Sequence, residues 1–134
     1  MNSPETTELS IVIPVYNERD NLIPLEDKLE TELQKLKLSY EIILIDDGSV
    51  DGSSQLIISM QKNNPRIRLI QFGHNHGQSA AFAAGFKAAK GKILVTLDAD
   101  LQNNPADISL LLDEMQNFDV VCGWRHKRND PWIK

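Results

Sequence analysis

Short apolar runs separated by helical stripes constrain this chain more than any other feature of its sequence. Leu9 to Val15, Glu41 to Ile45, Arg66 to Phe72, Lys92 to Leu97 and a short run from Asp119 to Gly123 read as strands, largely apolar on both faces. Between the first two, Leu22, Leu25, Leu29, Leu33 and Leu36 recur at three- and four-residue steps and make one apolar helical stripe. Leu56, Ile57 and Met60 form a shorter stripe after Asp51-Gly52-Ser53. Gly77 to Ala89 is crowded with alanine and glycine, which predicts a helix pressed closely on the sheet. Asn104 and Pro105 suit the N-cap and first helical position, with Ile108, Leu111, Leu112 and Met115 on the buried face. Strands alternating with helices predict an α/β fold with a mainly parallel sheet.

The chain has 134 residues, enough for one domain that buries about two-thirds of its unfolded surface. Its net charge of -5 argues against a general nucleic-acid binder, which would show a basic face. A single cysteine, Cys122, precludes a disulfide within the chain and reads as a small buried hydrophobe. No apolar run approaches the length of a membrane span, and Met1 to Glu8 lacks a signal-peptide core, so the domain is expected to work from the water side.

Open α/β sheets bind ligands beyond the carboxyl ends of their strands, so the strand ends are where function is sought. The fourth run ends Leu97-Asp98-Ala99-Asp100-Leu101-Gln102. If the chain stays extended, Asp98, Asp100 and Gln102 share a face, and their oxygens converge on a hard cation such as Mg2+ or Mn2+. The alternative is an acidic turn capping the next helix. The first run ends Pro14-Val15-Tyr16-Asn17-Glu18, which puts Pro14, Tyr16 and Glu18 on one face under the same condition. The second ends Ile45-Asp46-Asp47-Gly48-Ser49, with Ile45 and Asp47 of one parity and Asp46 turned toward the fold. An aromatic wall with carboxylates suits a nucleoside, and a metal offsets the diphosphate charge that carboxylates alone would repel. Taken singly, Asp47-Gly48-Ser49 is an everyday turn and Glu18 a favourable residue at a helix start.

Val12-Ile13-Pro14-Val15-Tyr16-Asn17-Glu18, Asp46-Asp47-Gly48-Ser49 and Asp98-Ala99-Asp100-Leu101-Gln102 resemble the motifs of glycosyltransferase family 2, in particular its polyprenyl-phosphate branch. Asn75-His76-Gly77-Gln78, the Ala-Gly-Phe run ending Ala89-Lys90-Gly91, and Val120-Val121-Cys122-Gly123-Trp124-Arg125 extend the likeness over the chain from Leu9. The resemblance implies a GT-A fold, a three-layer sandwich around a mainly parallel sheet. It implies an inverting, metal-dependent transfer of sugar from a UDP- or GDP-linked donor to a polyprenyl (undecaprenyl or dolichyl) phosphate. By the same resemblance, Pro14, Tyr16, Glu18, Ile45 and Asp47 hold the donor nucleoside, Asp98, Ala99 and Asp100 face the sugar nucleotide, and Asp98, Asp100 and Gln102 surround Mg2+ or Mn2+. Asp100 and Arg125 are the implied catalytic residues, Arg125 meeting phosphate near the acceptor.

Relatives often carry arginine at the position of His74, aspartate at that of Lys92 and proline at that of Asn104. They also continue past residue 134, with acceptor-side elements and often membrane helices. Residues 1–134 are therefore expected to be the donor-binding part of a catalytic domain truncated at its C-terminus. The full-length protein is expected at the cytoplasmic face of the membrane. A nucleotide-sugar-binding fragment without activity of its own, or a family 2 transferase acting on a hydroxyl in cell-envelope polysaccharide synthesis, are the competing readings. A hydroxyl acceptor needs a general base, whereas a lipid phosphate is already ionised. The basic tail Arg125-His126-Lys127-Arg128 suits phosphate or is a solvated loop, while Trp124 and Trp132 suit simple packing. His74 and His76 lack a nearby Cys or carboxylate to complete a metal site and read as a polar loop or a phosphate contact. A sugar-nucleotide pyrophosphorylase would place a basic glycine-rich loop where Tyr16-Asn17-Glu18 stands. A phosphoacceptor domain would need a separate acceptor aspartate and a later lysine.

Overall fold

Strand β1 (Leu9–Val15) runs through the middle of a sheet that β2 (Tyr40–Asp46), β3 (Ile67–Gln71) and β4 (Ile93–Thr96) complete in the order β3-β2-β1-β4. All the strand pairings among the described residues are parallel. The computed structural model describes residues 6–117 and 119. The expected fifth strand, Asp119–Gly123, falls almost wholly outside the described residues, as do Cys122, Trp124, the Arg125–Arg128 tail and Trp132.

The alternation of side chains along β1 and β2 sorts the core into two layers. Ile11, Ile13, Ile42 and Leu44 face helices α1 (Arg19–Leu36) and α2 (Ser53–Asn63), meeting Leu22, Leu25, Leu29, Leu33, Ile57 and Met60. Val12, Ile43 and Ile45 face the other way, against Ala81 of α3 (Gln78–Ala88). Helix α4 (Asp107–Glu114) adds Ile108 to the first layer. The three-layer arrangement expected from the sequence is present. Helix α1 starts at Arg19, three residues before the first leucine of its stripe, and contains Pro24. Helix α4 starts at Asp107 because Asn104 and Pro105 form a preceding turn, in which Asn104 Oδ1 accepts the Ala106 N–H at 3.0 Å. Ile108 is buried, whereas Leu111, Leu112 and Met115 are half-buried.

Helix α3 sits close to the sheet, as its small residues predict. A Cβ on Gly85 would lie 2.4 Å from Val12 Cγ1 and 2.9 Å from Ile45 Cδ1. At the amino-terminal edge of the sheet, Glu41 ties the return from α3 into β4. Its Oε2 accepts the Ser10 hydroxyl at 2.6 Å and the Lys90 N–H at 2.7 Å, and its Oε1 accepts Arg68 Nη1 at 2.6 Å. Arg68 also donates to the Ala88 carbonyl, and Ser10 Oγ accepts the Gly91 N–H. Burial pushes the Glu41 carboxyl up, but the donors from Ser10, Lys90 and Arg68 together outweigh it and hold the group below its ordinary value of 4.5.

Two outcomes follow from this packing. Gly85→Ala gains at most about 1 kcal/mol of helix propensity, less than the roughly 1–3 kcal/mol that overpacking typically costs. Its urea midpoint should fall, and a rise would show that the α3–sheet contact is looser than described. A carboxylate with a depressed folded pKa stabilises above its unfolded pKa and loses that contribution as pH falls through the folded one. Acid titration of stability should therefore show a loss beginning below about pH 4.5 that Glu41→Gln reduces, measured by denaturant unfolding between about pH 7 and pH 3.

Candidate active site

The chain order β1, β2, β3 moves outward on one side of β1, and β4 then returns to its other side. This reversal leaves a crevice at the carboxyl ends of β1 and β4, the place where open α/β sheets bind ligands. A cavity of about 470 Å3 lies there, lined by Pro14, Val15, Tyr16, Glu18, Asp47, Asn75, Gly77, Gln78, Asp98, Ala99 and Asp100. Its volume is in the range of small-molecule and cofactor sites.

The β1 side is built by a loop that leaves the strand at once. Asn17 has a φ of 53°, so the extended path stops after Val15, yet Pro14, Tyr16 and Glu18 all reach the cavity. The loop is held from the β2–α2 connection. Ser49 Oγ accepts the Asn17 N–H at 2.9 Å, Asn17 Oδ1 accepts the Val50 N–H at 2.9 Å, and Ser53 Oγ accepts the Glu18 N–H at 3.2 Å. Asn21 Nδ2 donates to Glu18 Oε2 at 2.6 Å, fixing that carboxylate. Tyr16 is 48% exposed, leaving its ring available for stacking on a planar group.

The paired aspartates at the end of β2 divide as their parity predicts, with one addition. Asp46 is buried and its Oδ1 accepts the Ser49 N–H at 3.1 Å, which is a turn role. Asp47 lines the cavity but is also buried, and three donors of the loop before α3 converge on its carboxylate. Oδ1 accepts the His76 N–H at 2.7 Å, while Oδ2 accepts the Gly77 N–H at 3.0 Å and Asn75 Nδ2 at 3.1 Å. Asp47 thus organises the rim as well as facing the space inside it. Gly48, with a φ of 78°, lets the two loops touch: a Cβ there would lie 2.5 Å from Asn75 N and His74 C. Ile45 is a correction. It is fully buried beneath α3 with Val12 and Ala81 and is absent from the cavity wall.

The β4 side also departs from an extended strand. The strand ends at Thr96, the chain turns at Ala99 and Asp100, and Leu101 has a φ of 66°. Shared strand parity therefore does not bring Asp98, Asp100 and Gln102 together. The turn carries Asp98 and Asp100 to the cavity, with the small, buried Ala99 between them. Gln102 is not part of the lining, and its backbone N–H donates to Asp100 Oδ1 at 3.1 Å. Asn103 Oδ1 accepts the Asp98 N–H at 3.1 Å, and Gln78 Nε2 donates to Asp98 Oδ1 at 3.1 Å. The His74 and His76 rings pack at 4.1 Å between centroids, with Phe72 against His76. No group of three or more His, Cys, Asp or Glu side chains able to hold a metal occurs among the described residues. Two carboxylates facing a cavity still fit Mg2+ or Mn2+, because these ions commonly take one or two protein carboxylates and complete their shell with substrate phosphate and water. Asn75, Gly77 and Gln78 carry no site role in the sequence reading. The signal that marks them is their place after a strand end on the same rim.

The Asp47 clamp makes a stability claim. Asp47→Asn sets an amide N–H2 against one of the two backbone donors, leaving a buried group unsatisfied at a typical cost of about 1–3 kcal/mol. Chemical denaturation should show that loss, and an unchanged midpoint would mean that the loop does not depend on the carboxylate.

Residues 10–134 match Glycosyl transferase family 2. The chain is 43% identical over its full length to the undecaprenyl-phosphate 4-deoxy-4-formamido-L-arabinose transferase of Aeromonas hydrophila subsp. hydrophila, and spans 42% of that relative. Among solved structures it is similar to a mannosyltransferase from Pyrobaculum calidifontis in complex with GDP-Man and Mn2+, with a TM-score of 0.67 and 20% identity over 84% of this chain and 33% of that one. It is also similar to glucosyl-3-phosphoglycerate synthase from Mycobacterium tuberculosis in complex with Mn2+, UDP and phosphoglyceric acid, with a TM-score of 0.66 and 21% identity over 83% of this chain and 39% of that one. These structural likenesses establish the GT-A fold. With the motif-bearing strand ends gathered at one crevice and the family match running from β1 to residue 134, the chain belongs to glycosyltransferase family 2.

Proposed function

We propose that this chain carries the donor-binding part of an enzyme that moves a sugar from a nucleoside diphosphate sugar to a polyprenyl phosphate with inversion at the anomeric carbon. The observation that carries the reading is the meeting of Tyr16, Glu18 and Asp47 with Asp98 and Asp100 around one cavity at the strand reversal. Support for the acceptor class comes from the 43% identical relative, named for undecaprenyl phosphate. The reaction belongs at the cytoplasmic face of a membrane. No helix among the described residues is long and apolar enough to cross one.

The side chains divide the work. Tyr16 offers a ring for the base, and Glu18 and Asp47 offer acceptors for base N–H or ribose hydroxyl groups. Ala99, with only a methyl group between the two aspartates, leaves room for the diphosphate to approach the turn. Asp98 and Asp100 would hold Mg2+ or Mn2+, which when bound neutralises charge developing on the departing nucleoside diphosphate. An ionised lipid phosphate attacks without surrendering a proton, so this donor half need not supply a general base. Arg125, outside the described residues, is assigned to the acceptor phosphate because a guanidinium pairs with phosphate in two-pronged fashion.

Calorimetric titration of the 134-residue chain with UDP and GDP, each with and without Mn2+, tests the nucleotide site and its base preference together. Binding should depend on the cation, and Asp100→Asn should weaken cation-dependent binding at least about tenfold, or about 1.4 kcal/mol. Undiminished Mn2+-dependent binding by folded Asp100→Asn would remove Asp100 from the metal site. Absence of binding to either nucleotide would overturn the donor reading.

A further inference from the structure

Gln78 is the first residue of α3, and its side chain spans from the helix to the turn after β4. Its Nε2 donates to Asp98 Oδ1 at 3.1 Å, an orientation of the amide that the carboxylate acceptor dictates. The three residues before it are fixed independently, because Asn75, His76 and Gly77 all donate to Asp47. Gly77, with a φ of 100°, then turns the chain into the helix. The segment 75–78 is thus tied to β2 at one end and to the β4 turn at the other, and it reaches across the crevice beside β1.

We propose that Gln78 is a positioning residue that sets the orientation of the Asp98 carboxylate toward a divalent cation arriving with the nucleoside diphosphate. The inference rests on the donor-site reading above. The Asp98 backbone is held by Asn103, but that bond leaves the carboxylate free to rotate about its own side-chain torsions. A donor on Oδ1 limits that rotation without exhausting the group, since a carboxylate has lone pairs for about four partners and Asp98 lines the cavity. The chemistry of the donor matters. A lysine or arginine at residue 78 would orient the carboxylate but cancel its charge and compete with the cation. A neutral amide orients it with the charge intact. Asp100 is served on the same principle, its Oδ1 accepting a neutral backbone N–H from Gln102. Hydrogen bonds of this kind to a ligating carboxylate are typically worth about 10–100-fold in metal affinity.

The test uses Gln78→Met, which keeps length without a donor, and Gln78→Lys, which keeps a donor but adds charge. UDP and GDP binding is measured by calorimetry with and without Mn2+, alongside thermal unfolding. In Gln78→Met the Mn2+-dependent gain in nucleotide affinity should fall about tenfold, well beyond any change in metal-free affinity, in a protein that still unfolds cooperatively. In Gln78→Lys metal-free affinity should rise, and the gain from Mn2+ should shrink. A full Mn2+ gain in Gln78→Met overturns the proposal while leaving the donor reading intact. Equal losses with and without metal also overturn it, making Gln78 a direct nucleotide contact. Wild-type protein that binds neither nucleotide overturns the donor reading and this inference with it.

Discussion

The burial of β1 on both faces is the constraint from which the rest of this structure follows. Leu9, Ile11, Val12, Ile13 and Val15 are all fully excluded from water, which requires a hydrogen-bonded neighbour on each edge and a helical layer on each face. Parallel neighbours need crossover connections, so β2 and β4 can flank β1 only if helices carry the chain back along the sheet. Helices α1 and α2 do this on one face and α3 on the other. Because β4 lands on the side of β1 opposite β2, the loops at that end diverge, and the cavity is the space they leave.

What fills the rim of that space is mostly polar backbone held by short side chains. Ser49, Ser53 and Asn17 lock the β1 loop to the β2 loop, Asp47 locks the β2 loop to the segment before α3, and Gln78 links that segment to the β4 turn. Each loop is therefore positioned by its neighbour. The carboxylates in the cavity are oriented by neutral donors, which preserves their negative charge. At the far edge of the sheet Glu41 is treated in the opposite way, with the Arg68 guanidinium neutralising it, consistent with a purely structural role.

The elements were legible in the sequence where one physical rule dominated. Largely apolar runs revealed β1 and β2, the leucine stripe revealed α1, and the alanine-glycine run revealed the close seat of α3, where Gly85 touches Val12 and Ile45. The division of labour between Asp46 and Asp47 was legible in part, because alternation holds to the end of β2. Alternation failed as a guide once the strands ended. Asn17 and Leu101 take positive φ values, so a two-residue period says nothing about where Glu18 or Gln102 points. The family resemblance put Ile45 at the nucleoside, whereas its depth is set by α3 lying over it.

The sequence by itself determined the class of fold, the family and the identity of the polar residues gathered at the strand ends, because these depend on local periodicity and on motifs contiguous in the chain. Only the tertiary structure decided which of them share a cavity, and that Asn75, Gly77 and Gln78 join them. It also decided that the Asp47 carboxylate holds a neighbouring loop as well as lining the cavity. The reason is that loop positions here are fixed by hydrogen bonds between segments about 20 to 35 residues apart, and contacts at such separations leave no period in the sequence.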